Sequence, residues 1–170
     1  AYTISALAKL YKWMDSPTEE GTAVRKEEIN DKAMAIFHAN TAVYYDENNI
    51  LASVLVIVIS TVWNISYELS DTQQIFNARN MMIETKRLLN KYPDNILCQT
   101  VYAFIQGIKN NMLNAEDEEY QEPLDRMLKV HQKLKDNNFV YNHPTEKMAA
   151  AFIFNMVPQL YARIGKGNQG

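Results

Sequence analysis

The sequence predicts an all-α fold, with about seven antiparallel helices in hairpins around a fully apolar central helix at residues 50–69. Three observations predict it. Apolar residues recur at helical spacing from one end of the chain to the other. Gly 5 and Pro 5 are too few for a turn-rich, many-stranded β fold. Each helical stretch also ends at a recognisable cap or break.

Ile4, Leu7, Ala8, Tyr11 and Met14 mark a short first helix, ended by Asp15-Ser16-Pro17. Thr22 can cap a second, with Ile29, Ala33, Ile36, Phe37, Val43 and Tyr44 on one face. Asp46-Glu47-Asn48-Asn49 breaks it and supplies the next N-cap. After the apolar segment, Ser70 to Gln73 has capping-box spacing. The helix behind it turns Ile75, Ala78, Met82, Leu89 and Tyr92 inward and stops at Pro93.

Asp94 or Asn95 opens the next helix, with Leu97, Val101, Phe104, Ile105, Ile108 and Met112 on one stripe. Asn114 is expected to cap the sixth. Its first half is acidic (Glu116 to Glu119, Glu122, Asp125) and its second half basic (Arg126, Lys129, Lys133, Lys135), an order that complements the helix dipole. Glu122–Arg126 and Asp125–Lys129 have i,i+4 spacing, and Tyr120, Leu124, Met127, Leu128, His131 and Leu134 form the inner stripe. Pro123 either kinks this helix or starts it, and Asp136-Asn137-Asn138 ends it. The last helix runs from Pro144, behind a His143 cap, to Ile164, with Gly165 as its stop. Pro158 lacks the N–H that would bond the Phe154 carbonyl and is expected to bend it. The reading is a single helical domain over residues 1–170, with 165–170 a flexible tail.

The turn Lys91-Tyr92-Pro93-Asp94-Asn95, with Ala103 beyond it, resembles the junction of a tetratricopeptide repeat. The resemblance covers one junction. Gln99 and Gln106 stand where that repeat has large apolar residues, and no 34-residue period recurs. Generic helical hairpins account for the same residues.

Residues 48–67 carry no charged side chain. A membrane span, a buried strand and a buried helix all compete for such a run. Its length just suffices for a span, with Tyr44, Tyr45, Trp63 and Tyr67 as interface aromatics. Against that, Ser53, Ser60, Thr61, Asn64 and Ser66 dilute it, and its flanks are acidic. The β-branched run at 54–59 suits a strand, but no second strand signal offers it a partner. A helix apolar all round suits the middle of a bundle, and this is the expectation.

A net charge of −3 disfavours a whole-surface grip on nucleic acid. One cysteine, Cys98, excludes an intrachain disulfide and a thiolate zinc site, and fits a reducing compartment. No N-terminal stretch has the order of a signal peptide. The expected location is therefore cytoplasmic, or otherwise intracellular, or within a viral particle. His38, His131 and His143 fall in no metal-ligand spacing, no phosphate loop or nucleophile elbow is present, and no cofactor is expected. The acids of 116–125 lack the glycine of a calcium loop and suit a solvated helix start.

The last helix carries two apolar stripes. Met148, Phe152, Met156, Leu160 and Ile164 form one, and Ala149, Ile153, Val157 and Tyr161 the other. That exceeds what one core-facing side needs, so Phe152, Phe154, Met156, Val157, Tyr161 and Ile164 are the interface candidates. With 10 Tyr and 8 Met and no catalytic constellation, the leading expectation is a non-enzymatic interaction or assembly protein. It would self-associate or bind a protein partner, as an adaptor or as a structural subunit such as a coat or filament protein. One alternative is a small enzyme with a carboxylate/His site near His38 and Asp46. The other is a nucleic-acid-associated subunit using Lys129, Lys133, Lys135, Lys147, Arg163 and Lys166. Membrane contact is not expected.

Overall fold

A computed structural model describes residues 1–6, 8, 22–66 and 71–167. The fold is all-α, with no strand among the described residues. The chain divides into two compact units, Ala1–Glu68 and Leu69–Gly170. Unit 1 holds a helical turn at residues 2–6, α1 (Thr22–Tyr45) and α2 (Ile50–Ser66). Unit 2 holds α3 (Asp71–Lys91), α4 (Ile96–Met112), a 3-10 turn (Asp117–Tyr120), α5 (Gln121–Asp136) and α6 (Pro144–Gly167).

In unit 1, α1 and α2 form an antiparallel hairpin. Asp46 makes an Asx turn, accepting the Asn48 N–H at 3.0 Å. Asn49 then caps α2, its Oδ1 accepting from Ala52 N at 3.0 Å, while its Nδ2 donates to Thr3 Oγ1 at 3.1 Å. The acidic-amide break therefore works as the sequence suggests.

The inner face of α1 is not the expected one. Asp31, Ala35, Ala39 and Ala42 are its buried seam, whereas Ala33, Phe37 and Tyr44 are exposed and Ile36 and Val43 only half-buried. The reason is steric. Interaxial distance follows the size of the side chains at the contact, and α2 presents bulky branched residues, so small residues on α1 let the backbones approach. Ile29 lies outside the side chains described. So does most of the first helix, whose stop at 15–17 is not described.

Residues 50–66 are helical, which overturns the strand alternative for 54–59. Ala52, Val54, Leu55, Ile57, Val58, Ile59 and Thr61 are buried, and no side chain from 51 to 61 is exposed. At 100° per residue these positions encircle the helix, as expected of an element apolar all round. Thr61 returns its hydroxyl to the Ile57 carbonyl at 2.8 Å, so its burial leaves no donor unpaired. Over the described residues, no helix is long and apolar enough to cross a membrane. The 17 residues of α2 span about 25 Å, against about 30 Å of hydrocarbon.

Unit 2 is organised around α4, which packs on α3, α5 and α6. Asn95 caps it, accepting from Leu97 N and Cys98 N at 3.0 and 3.1 Å. Leu97, Val101 and Ile105 are buried as expected, with Phe104, Ile108 and Met112 half-buried. Gly107 faces α6, where a β-carbon would make ordinary contact, 3.5 Å from Leu160 Cδ2. The core joins Ala103 to Tyr120, Leu124, Met127, Val130, Leu134, Ala150, Ile153, Met156 and Leu160.

Two boundaries differ from expectation. Asn114 does not open the next helix; at φ 47° it closes α4. Asn114 N donates to Asn111 O at 3.3 Å and Ala115 N to Asn110 O at 3.0 Å, the two bonds of a Schellman motif with Asn in glycine's place. The acids 117–119 then form the 3-10 turn, pinned by Asn110 Nδ2 on the Glu119 carbonyl at 2.9 Å. Pro123 falls in the first turn of α5, where its missing N–H costs nothing, so it begins the helix rather than kinking it. Gly165 does not stop α6, which continues to Gly167, and among the described residues no glycine takes the left-handed conformation that such a stop uses. His143 does cap α6, its Nδ1 accepting from Thr145 N at 3.2 Å.

Candidate interaction surface

The outward face of α6 is mixed: exposed apolar residues alternate with Asn155, Gln159 and Arg163. Ala151, Phe154, Pro158, Tyr161 and Ala162 are all exposed, Phe154 by 60% and Tyr161 by 53%. Of the remaining interface candidates, Phe152, Val157 and Ile164 are half-buried, and Met156 lies in the core. Phe152 spends its ring on Phe104, 4.7 Å between centroids.

The turn after α5 extends this face. Asn138 N bonds Lys135 O and Phe139 N bonds Leu134 O, both at 2.8 Å, a second Schellman closure. It places Asn138 at φ 53° and Phe139 at φ 55°. For a bulky L-residue such a φ is strained, by about 1–3 kcal/mol. The strain holds the Phe139 ring 5.7 Å from His131 and 6.4 Å from Phe154, with His131 6.2 Å from Phe154. Val140, the residue after Phe139, is 56% exposed. Sequence reasoning missed Phe139 and Val140 because the turn between helices was read only as a stop signal.

Two of the basic candidates lie among opposite charges. Lys129 and Lys133 line a polar groove of about 700 Å³ with Glu122, Asp125, Arg126 and Asp136, where opposite charges alternate. Arg126 pairs with Glu122 at 3.1 Å, and Asp125 accepts from Gln121 Nε2 at 2.7 Å. Arg163 lies over the Tyr120 ring at 6.0 Å. Lys135 and Lys147 are exposed, and the Lys166 side chain lies outside those described.

Gln106 donates to Glu122 at 3.0 Å and, with Arg126, holds that carboxyl below its ordinary value. A depressed folded pKa gives stability that is present above the unfolded value of about 4.5 and is lost as pH falls through the lower folded one. Glu122→Gln should therefore flatten the acid limb of a melting-temperature profile. The effect will be small because the pair is exposed. An unchanged acid limb would show that the two hydrogen bonds do not stabilise the charged form.

Among the described residues no three of His, Cys, Asp and Glu group to hold a metal. His38 packs against Tyr2 and Phe37 rather than Asp46 (5.9 and 5.7 Å between ring centroids), and Asp46 is engaged in its Asx turn. Burial pushes the Cys98 thiol up to about 11, so almost no nucleophilic thiolate forms at neutral pH. No known family, curated protein sequence or solved structure gives a significant match to the chain.

Proposed function

We propose that the chain is a non-enzymatic interaction or assembly protein that self-associates through the outer face of α6. The observation that carries this reading is the exposure of Phe154 and Tyr161 on one helix, with Phe139 of the preceding turn 6.4 Å from Phe154 and Val140, next to Phe139 in sequence, also exposed. Burying apolar surface gives about 25 cal/mol per Å², and aromatic rings supply the most area per side chain. Phe139 adds a second argument, because a strained backbone holding an exposed ring in place suits a contact surface better than it suits stability.

The test is native mass against concentration, by sedimentation velocity. Wild-type mass is expected to rise above 19.6 kDa as concentration increases. Phe154→Ser with Tyr161→Ser should hold it at the monomer value with an unchanged thermal melt, since both side chains are exposed. A wild-type chain that stays monomeric throughout the range overturns self-association.

A further inference from the structure

Unit 1 carries a second exposed aromatic face, with two exposed carboxylates at its end. Residues 33–78 contain neither Lys nor Arg. No basic residue occupies the last turn of α1, so no side chain of the helix itself compensates the negative end of its dipole at Tyr45. Asp46 and Glu47 follow at once, both exposed. On this same end Phe37 is 58%, Tyr44 85% and Tyr45 72% exposed. Tyr44 stands edge-on to Tyr45 at 81°, and Tyr2 stacks on Tyr45 at 5.9 Å. Ile36, Phe37, Asn40, Thr41, Tyr44 and Tyr45 line a shallow groove of about 590 Å³.

Ring faces, carboxylates and a helix C-terminus all attract positive charge. In unit 2 the chain covers such rings with its own cations: Arg126 over Tyr102 at 4.9 Å, Lys91 over Tyr92 at 5.4 Å and Arg163 over Tyr120 at 6.0 Å. Among the described residues no cation covers Tyr44 or Tyr45. We propose that this groove docks an arginine-bearing segment of a partner protein. The guanidinium stacks on the tyrosine faces and donates to Asp46 or Glu47. Arginine fits better than lysine because its planar group both stacks and forks onto a carboxylate. Ile36 and Phe37 beside the rings accept an apolar neighbour of that arginine, which a free cation would not supply. The inference goes beyond self-association through α6 and uses none of its residues.

The experiment is fluorescence anisotropy of a labelled peptide of alternating Arg and Leu, titrated with the full chain at low salt. Saturable binding is expected, weaker for the Lys–Leu peptide and lost with rising salt. Tyr44→Ala with Tyr45→Ala should weaken it about tenfold. Asp46→Asn with Glu47→Gln should weaken it several-fold and flatten its salt dependence. Phe154→Ser should leave it unchanged, which separates this site from the α6 face. The tyrosine variants should keep the wild-type melt, so lost binding cannot be lost folding. Three results overturn the proposal. One is no saturable binding by the wild-type chain, and another is binding indifferent to the two tyrosines. The third is tyrosine-dependent binding of phosphatidylcholine vesicles, or tyrosine-dependent self-association, that outcompetes the peptide.

Discussion

Ile57→Ala is expected to cost about 2–5 kcal/mol of folding stability, the range for removing a buried isoleucine's branched end. Ile57 is 6% exposed on a helix enclosed on every described face. Neighbouring Leu55 and Ile59 are buried, so little can collapse into the gap. Val58→Lys tests the same helix more severely. Val58 is 5% exposed, no carboxylate lies within the α2 sequence to receive an ammonium, and Asp31 of the α1 seam is already engaged. An unpaired buried charge exceeds what a domain of this size can tolerate, and the variant should not fold. The measurement is denaturant unfolding, with the midpoint lowered and the slope unchanged for Ile57→Ala. A loss under about 0.5 kcal/mol, typical of surface positions, would mean that the helix is not enclosed in solution.

The same segment shows what kind of information the sequence holds. The charge-free run decided helix against strand through its length and its lack of partners, and both are local facts. Caps were also legible, because Asn49, Asn95 and His143 act on N–H groups two or three residues away. Asn114 was misassigned because an asparagine can accept a helix's first N–H groups or adopt the left-handed turn that closes one. Only the neighbouring backbone decides between them. The inner face of α1 failed for a different reason. Weighting large apolar residues as core hides a seam built from Ala35, Ala39 and Ala42, whose value lies in the close approach they permit.

The candidate surface was half legible. Phe154 and Tyr161 emerged from counting stripes on one helix. Met156 was counted with them because periodicity cannot say which of two stripes faces inward. The Phe139–His131–Phe154 cluster joins α5, a strained turn and α6, and no spacing rule connects those three positions. The aromatic end of α1 was hidden by the same error that reversed its faces.

The contact between α4 and α6 supports the other large prediction. Leu160→Ala is expected to cost about 3–5 kcal/mol, the upper part of the range for a buried leucine. Leu160 is 1% exposed, and across from it stands Gly107, which has no side chain to move into the space. Gly107→Leu alone should cost about 1–3 kcal/mol, because its side chain would meet Leu160 and Met156 in a filled core. Combined, the two changes exchange a large and a small residue across one contact. The added leucine occupies the vacated volume and also removes a helix-interior glycine, worth about 0.5–1 kcal/mol relative to alanine. The double variant should therefore be more stable than Leu160→Ala by itself. The coupling energy should be about 1–3 kcal/mol in the favourable direction, read from a double-mutant cycle of denaturant unfolding. Strict additivity would show that the two residues are not in contact in solution. The packing of α6 on α4 would then have to differ, and with it the direction in which Phe154 and Tyr161 face.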